Sequence, residues 1–265
     1  MFSRRVVLSV ALYPVLCAAQ TPLSQPHPPI SSWWQGPLLF LGTSHTNSVD
    51  DPQIGEIRRQ MLAFKPDIVL VEGGAWPEFD DPLYAIAPYG ELAYAKSLAK
   101  SLGVPADDVD PPIGPERAET LRVHGGDRAS LYYALRMVPQ FARAADAGGP
   151  SVDDAMSSWL KSSRIAELKA SVLLDDTKAL QELCSRELPV LGDWRNAADG
   201  TWWSPRGAPK SFLQTAQTTS AQFRDRYIVS RIVTALRQEK RVLVVAGAAH
   251  MVAAHELLPT ALRAP

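Results

Sequence analysis

Cysteine is nearly absent. The 265 residues hold two, Cys17 and Cys184. If an N-terminal leader is removed, only Cys184 is left, and one thiol cannot close an internal disulfide, so stability must come from a packed core. An excess of charge of one sign is missing too. Lys and Arg number 27, Asp and Glu 28, and the formal net charge is -1. With no long basic run, the electrostatic footprint of a nucleic-acid partner is lacking. There is no G-x-G-x-x-G, no Walker loop and no zinc-finger spacing, which removes the common dinucleotide and nucleotide-phosphate sites. No nucleophile elbow or Ser-His-Asp arrangement is present. Long apolar runs are missing as well: Val6 to Leu16 is too short to cross a bilayer as a helix.

That short run is informative in another way. Arg4 and Arg5 precede it and small residues follow in "CAAQ", the pattern of an export signal over residues 1–19, cleaved after Ala19. "SRRVVL" also resembles a twin-arginine signal. Leu16 occupies the position where a lipoprotein site at Cys17 wants a small residue. The expectation is an exported protein, periplasmic or extracellular, with no membrane span after signal cleavage. Residues 20–36 are rich in Pro, Ser and Gln and read as a linker, tacked onto the domain by Trp33 and Trp34.

What remains, residues 37–265, reads as a single α/β domain with a mostly parallel central sheet covered by helices. "LLFLG" is a strand, Asp51 to Phe64 a helix with Asp51 as N-cap and Pro52 at its first position, and "IVLV" a second strand. That β-α-β unit predicts parallel strands. "GELAYAKSLAKSLG" is a further helix and "DDVD" a short third strand. Residues 115–190 show helical patterns without a clear strand, broken at "HGGD", "AGGP" and near Asp175, and form a helical insertion. Residues 192–209 are a Trp-rich loop of the length that often serves function. Thr219 to Gln222 has the T-x-x-Q form of a capping box, which predicts a helix from there to Gln238. The last strong strand is "VLVVA".

Three strands end in chemistry. The first ends at Gly42 in a G-x-x-H that places His45 just beyond it; the last ends at Gly247 in a second G-x-x-H that places His250 there; the second ends directly in Glu72. Ligands of open parallel sheets bind outside the carboxyl ends of the strands. If these strands are neighbours, two imidazoles and a carboxylate share one edge. Two His and one Glu with an open position form a workable catalytic metal set, which would deliver hydroxide at neutral pH. Without metal, His45 would act as general base on water with Glu72 fixing its tautomer. A single G-x-x-H is weak evidence, and Glu72 alone is equally consistent with a turn cap.

"FLGTSH", "KPDIVLVEGG", "FRDRYIVSRI" and "VLVVAGAAH" together resemble the TraB/GumN group, similar to the TIKI metalloproteases and to the wider erythromycin-esterase-like and haem-binding ChaN-like superfamily. The resemblance covers roughly residues 37–75 and 219–258. It implies a site marked by His45, His250, Glu72 and Arg224, and a hydrolase of peptide or ester bonds using a divalent metal ion held by His45, Glu72 and His250. It equally admits a non-catalytic protein that binds haem, iron or a peptide signal.

Arg224 lies at the edge of its helix's buried stripe and, read from a start at Thr219, near the helix N-terminus, where a cation is disfavoured. That placement asks for an acidic partner: a substrate carboxylate, an oxyanion or Glu72, with Asp225 or Glu239 as surface alternatives. Asp110 and Glu116 form a second tier that would complete an acidic edge. Cys184, within an amphipathic pattern, reads as a buried small hydrophobe. His124 and His255 fall outside the site, and Trp202 and Trp203 either wall the pocket or anchor their loop.

Overall fold

The computed structural model describes residues 30–73, 76–146, 149–162, 168, 170–171, 173–203, 211–238 and 240–263. The expected leader with Cys17, and most of the linker, lie outside the described residues.

The chain is α/β. Five strands form one sheet: β1 (Ser31–Gln35), β2 (Leu38–Thr43), β3 (Ile68–Val71), β4 (Ala106–Asp108) and β5 (Val242–Gly247), in the order β1-β2-β5-β3-β4. β2, β5, β3 and β4 are parallel, and only β1 runs against its neighbour. The three central strands are the apolar runs of the sequence. Both faces of the sheet are covered, so these strands need apolar side chains at every position rather than at alternate ones. One face carries Leu39, Leu41, Val69, Val71, Leu243 and Val245 against α1 (Pro52–Phe64) and α2 (Ile86–Ser101). The other carries Leu38, Phe40, Leu70, Val242, Val244 and Ala246 against α7 (Phe212–Arg237) and α8 (Ala248–Arg263).

Asp51 caps α1, accepting from the Gln53 N–H, with Pro52 in the first turn. At the other edge of the fold the linker expectation needs amending. Residues 31–35 are an edge strand, paired antiparallel to β2 from Ser31↔Gly42 to Gln35↔Leu38. Alternation carries its two tryptophans to opposite faces: Trp33 meets His255 of α8 at 4.9 Å, and Trp34 meets Phe64 of α1 at 5.2 Å.

The middle of the chain is helical, as read: α3 (Ile113–Leu135), interrupted at Gly125, α4 (Val138–Asp146), α5 (Val152–Ser162) and α6 (Thr177–Glu187). These helices enclose their own core, which includes Leu131, Met156, Leu180 and the fully buried Trp194. Cys184 sits inside it, its thiol pushed up to about 11 by burial, so it serves as packing. Trp202 and Trp203 pack against the same core, and the Trp203 indole donates to the Ala197 carbonyl at 2.9 Å, which makes them loop anchors.

The capping-box reading of Thr219 is corrected. α7 starts at Phe212, where the Ser211 hydroxyl accepts from the Leu213 N–H. Thr219 lies inside the helix, its hydroxyl turned back onto the Thr215 carbonyl. A Thr hydroxyl can donate to the i−4 carbonyl inside a helix as well as accept an N–H at a cap, so the motif alone cannot place the start. Urea unfolding checks this assignment. Ser211→Ala is expected to cost about 1 kcal/mol, and Ser211→Asp to restore most of it; equal stability of all three chains would contradict a cap at Ser211.

Candidate functional site

Strand register builds the site. β5 lies between β2 and β3, with Gly42 opposite Ala246 and Val71 opposite Val245, so the three strands finish together. Glu72 continues the pairing by donating its N–H to the Val245 carbonyl. The residues singled out from three separate segments therefore meet at one edge. The convergence centres on Gly247. A side chain there would begin 3.3 Å from Glu72 Oε2, 3.8 Å from His45 Nε2 and 3.9 Å from the His250 ring. A side chain there would press on the Glu72 carboxylate, which would have to give by a few tenths of an ångström.

Glu72 is buried, 6% exposed, and fully engaged. Its Oε1 accepts from Arg224 at 2.6 Å and faces His250 Nε2 at 3.3 Å, and its Oε2 accepts from the Gly247 N–H at 2.6 Å. Burial works against its charge, but His250, Arg224 and the Gly247 N–H outweigh burial and hold the carboxyl far below the usual carboxylate range.

Arg224 lies midway along α7, not near its start, because the helix begins at Phe212. The macrodipole objection to a cation therefore falls away, since that effect fades beyond the first turn. Its partners are Glu72 and Asp110, while Asp225 turns to His250; Glu239 lies outside the described residues. The guanidinium grips Asp110 with two bonds, of 2.9 and 3.0 Å. Asp110, just past β4, also accepts from the Gly73 N–H. Burial resists the charge on Arg224, and the two carboxylates more than restore it.

His250, in the first turn of α8, is held at both nitrogens: Nδ1 by Asp225 at 2.6 Å and Nε2 by Glu72. Burial lowers its pKa, but the two carboxylates prevail and raise it to about 9. At neutral pH it is an imidazolium at a helix N-terminus, a position tolerated only because two anions flank it. The result is an alternating chain of charge: Asp225, His250, Glu72, Arg224, Asp110.

His45 is different. Its side chain is 66% exposed. Nδ1 meets Glu91 Oε1 at 3.0 Å. Glu91, 2% exposed, was not singled out from the sequence. It begins the regular part of α2 after Gly90, whose backbone has φ +80°. A side chain on Gly90 would lie 2.9 Å from the Thr46 carbonyl, so glycine there lets the His45 loop seat on the helix start. Glu91 accepts from the Thr43 hydroxyl and the Thr46 N–H, both at 3.0 Å. Gln53 fastens Ser44 from the other side. The Glu91 hydrogen bond raises the His45 pKa above its ordinary 6.5, against a smaller opposing effect of burial. With Nδ1 donating to Glu91, Nε2 carries the lone pair and lies on the side of Gly247. The expectation that Glu72 fixes the His45 tautomer is thus replaced: Glu91 does so.

Of the second-tier acids, Asp110 joins the site and Glu116 stands apart. Glu116 accepts from the hydroxyls of Ser220 at 2.5 Å and Tyr133 at 3.2 Å. It lines the far wall of a cleft of about 380 Å³ that also touches Gly73, Asp110, Pro112, Arg136 and Arg224. His124 bonds Thr219 and His255 packs on Trp33, both away from the site. Glu91 and Asp225 are the two residues that sequence reasoning missed. The one signal for Glu91 was a glutamate directly after a glycine at a helix start, and Asp225 had been weighed only as a surface partner for Arg224.

Among the described residues, no group of three or more His, Cys, Asp or Glu side chains is arranged to hold a metal ion. The reason is local: His250 spends both nitrogens on carboxylates, and Glu72 spends both oxygens on Arg224, His250 and Gly247. As placed, the His45, Glu72 and His250 set does not fit a metal. Comparison of the chain with protein-family models, with curated proteins and with solved structures finds no match.

The charge chain makes stability depend on pH in two opposite ways. His250, raised to about 9 from 6.5, contributes stability that is complete below about pH 6.5 and is lost as pH rises through 9. Glu72, lowered, contributes stability that is present above its unfolded value of 4.5 and is lost as pH falls further into the acid range. In urea melts, the stability gap between the natural chain and His250→Gln is expected to shrink by up to about 3 kcal/mol from pH 6 to pH 10. A gap independent of pH would refute the imidazolium assignment.

Proposed function

We propose that the chain is an exported hydrolase that cleaves a peptide or ester bond, with His45 as general base. The observation that carries this reading is the His45–Glu91 pair: an exposed imidazole, oriented through Nδ1 by a buried carboxylate, whose Nε2 lies beside Gly247. A base is most effective with its pKa near the working pH, and Glu91 moves His45 in that direction from 6.5.

In the proposed reaction, His45 Nε2 takes a proton from water as the oxygen attacks the substrate carbonyl carbon. Glu91 steadies the imidazolium that forms. The Nε2 proton then passes to the leaving nitrogen or oxygen as the bond to the carbonyl carbon breaks. The guanidinium of Arg224 has five N–H donors. Three of its bonds go to Glu72 and Asp110, and its cleft-facing side is the natural place for a substrate carbonyl or carboxylate. Glu72 and His250 keep that cation and the Gly247 turn in place.

The TraB/GumN-like motifs support the same hydrolytic reading and add a divalent metal. A metal-dependent form would require His250 to leave Asp225 or Glu72, and the proposed steps do not pass through it. Activity against a panel of peptides and esters, with and without chelator, separates the two forms: loss on chelation and recovery with added metal would establish the metal-dependent one.

His45→Ala is expected to reduce turnover by at least about 100-fold with an unchanged circular dichroism spectrum. Glu91→Gln is expected to keep measurable activity but to move the acid limb of the pH–rate profile to lower pH, since the group that raises the His45 pKa is gone. Unchanged turnover in His45→Ala would defeat the proposal. In that event, a Soret shift on haem titration that disappears with His45 would support a haem-binding protein.

A further inference from the structure

Residues 76–89, which run from the segment after β3 into the first turn of α2, carry a group of three rings, Trp76, Phe79 and Tyr89, joined through Tyr89. Trp76 and Tyr89 lie 6.2 Å apart between ring centroids, and Phe79 and Tyr89 lie 5.8 Å apart. Neither end of this group is placed at random. The Trp76 indole donates to the Glu72 backbone carbonyl at 2.7 Å and lies directly over Gly73, where a side chain would begin 2.3 Å from the ring. Gly73 lines the cleft beside Asp110 and Arg224. At the other end, Tyr89 precedes Gly90 and Glu91, the pair that seats the His45 loop. Asn47 ties that loop to the same segment by donating to the Ile86 and Ala87 carbonyls. The aromatic group therefore sits between Gly73, which lines the cleft, and the Gly90–Glu91 turn that seats the His45 loop.

It is also fastened from below. Lys96 donates to the Trp76 carbonyl at 3.0 Å, and the buried Ser97 hydroxyl accepts from the Phe79 N–H at 3.1 Å. Tyr89 keeps 38% of its surface exposed. An aromatic surface held rigid beside a polar reactive edge binds apolar groups at little entropic cost.

We propose that Trp76, Phe79 and Tyr89 form a specificity subsite that takes an apolar, preferably aromatic, side chain of the substrate next to the scissile bond. This rests on the hydrolase reading above. Arg224 would hold a substrate carbonyl or carboxylate whatever the neighbouring side chain, so the aromatic shelf is the surface that discriminates between substrates by shape and apolar area.

The test uses the full chain carrying His45→Ala, so that binding is read without turnover. Calorimetric titration compares N-acetyl-phenylalanine methyl ester with N-acetyl-glycine methyl ester. The phenylalanine ester is expected to bind about tenfold more tightly, the scale of one apolar side chain partly removed from water. Tyr89→Ala, and separately Trp76→Leu, should reduce that ratio to about threefold or less. Tyr89→Ala decides alone if Trp76→Leu does not fold. Equal binding of the two esters, or a preference that survives Tyr89→Ala, would overturn the subsite. A chain with native His45 that turns over neither ester, while the binding preference persists, would count against hydrolysis and leave the subsite standing.

Discussion

The buried carboxylate of Glu72 is the constraint around which the site edge is arranged. An ionised carboxylate in an apolar fold is tolerated only when charge and hydrogen bonds replace its lost hydration. Here the replacement comes from three elements at once: a guanidinium from α7, an imidazolium from the start of α8, and the backbone N–H at the end of β5. Each cation is in turn matched by a further acid, Asp110 for Arg224 and Asp225 for His250. The arrangement locks β3, β4, β5, α7 and α8 into one geometry. Removing a single member leaves an uncompensated charge, which is far more costly than losing an exposed ion pair.

Against that network, His45 is the one imidazole of the site that is exposed and has a ring nitrogen not held by a carboxylate. The two histidines looked equivalent in the sequence, each three residues after a strand-end glycine. Their environments divide the labour. His250 is enclosed between two carboxylates and stays charged, so it works as a structural cation. His45 has a single carboxylate at Nδ1 and keeps Nε2 available. Both pKa values are raised, but only His250 is enclosed on both sides by acids, so the geometry separates a structural cation from an accessible base.

Much of this was legible in the residues. The strands β2, β3 and β5 announced themselves as short apolar runs bounded by Gly, Pro and Asp, because strands covered on both faces have no polar positions to spare. The α1 cap at Asp51 and Pro52 was readable since capping is local chemistry. The helical insertion showed in periodicity and in its glycine breaks. Where the reading failed, the cause was ambiguity of local signals. Thr219 satisfies a capping pattern and an interior back-bond equally well. The edge strand β1 hides in a Pro- and Ser-rich stretch, because its pairing with β2 comes from the neighbouring strand and not from its own composition.

The amino-acid pattern alone carried the α/β class, the three strand ends and the chemical character of His45, Glu72 and His250, since these follow from periodicity and residue type over a few positions; Arg224 was singled out by the family resemblance. The pairing of those side chains was a matter of packing. Glu91 and His45 are 46 residues apart, and Arg224 and Glu72 are 152 apart. Contacts at such separations exist only once strand order puts β5 between β2 and β3. Which histidine is caged and which is free, and which acid orients it, is settled by distances and burial that no local stretch of chain encodes.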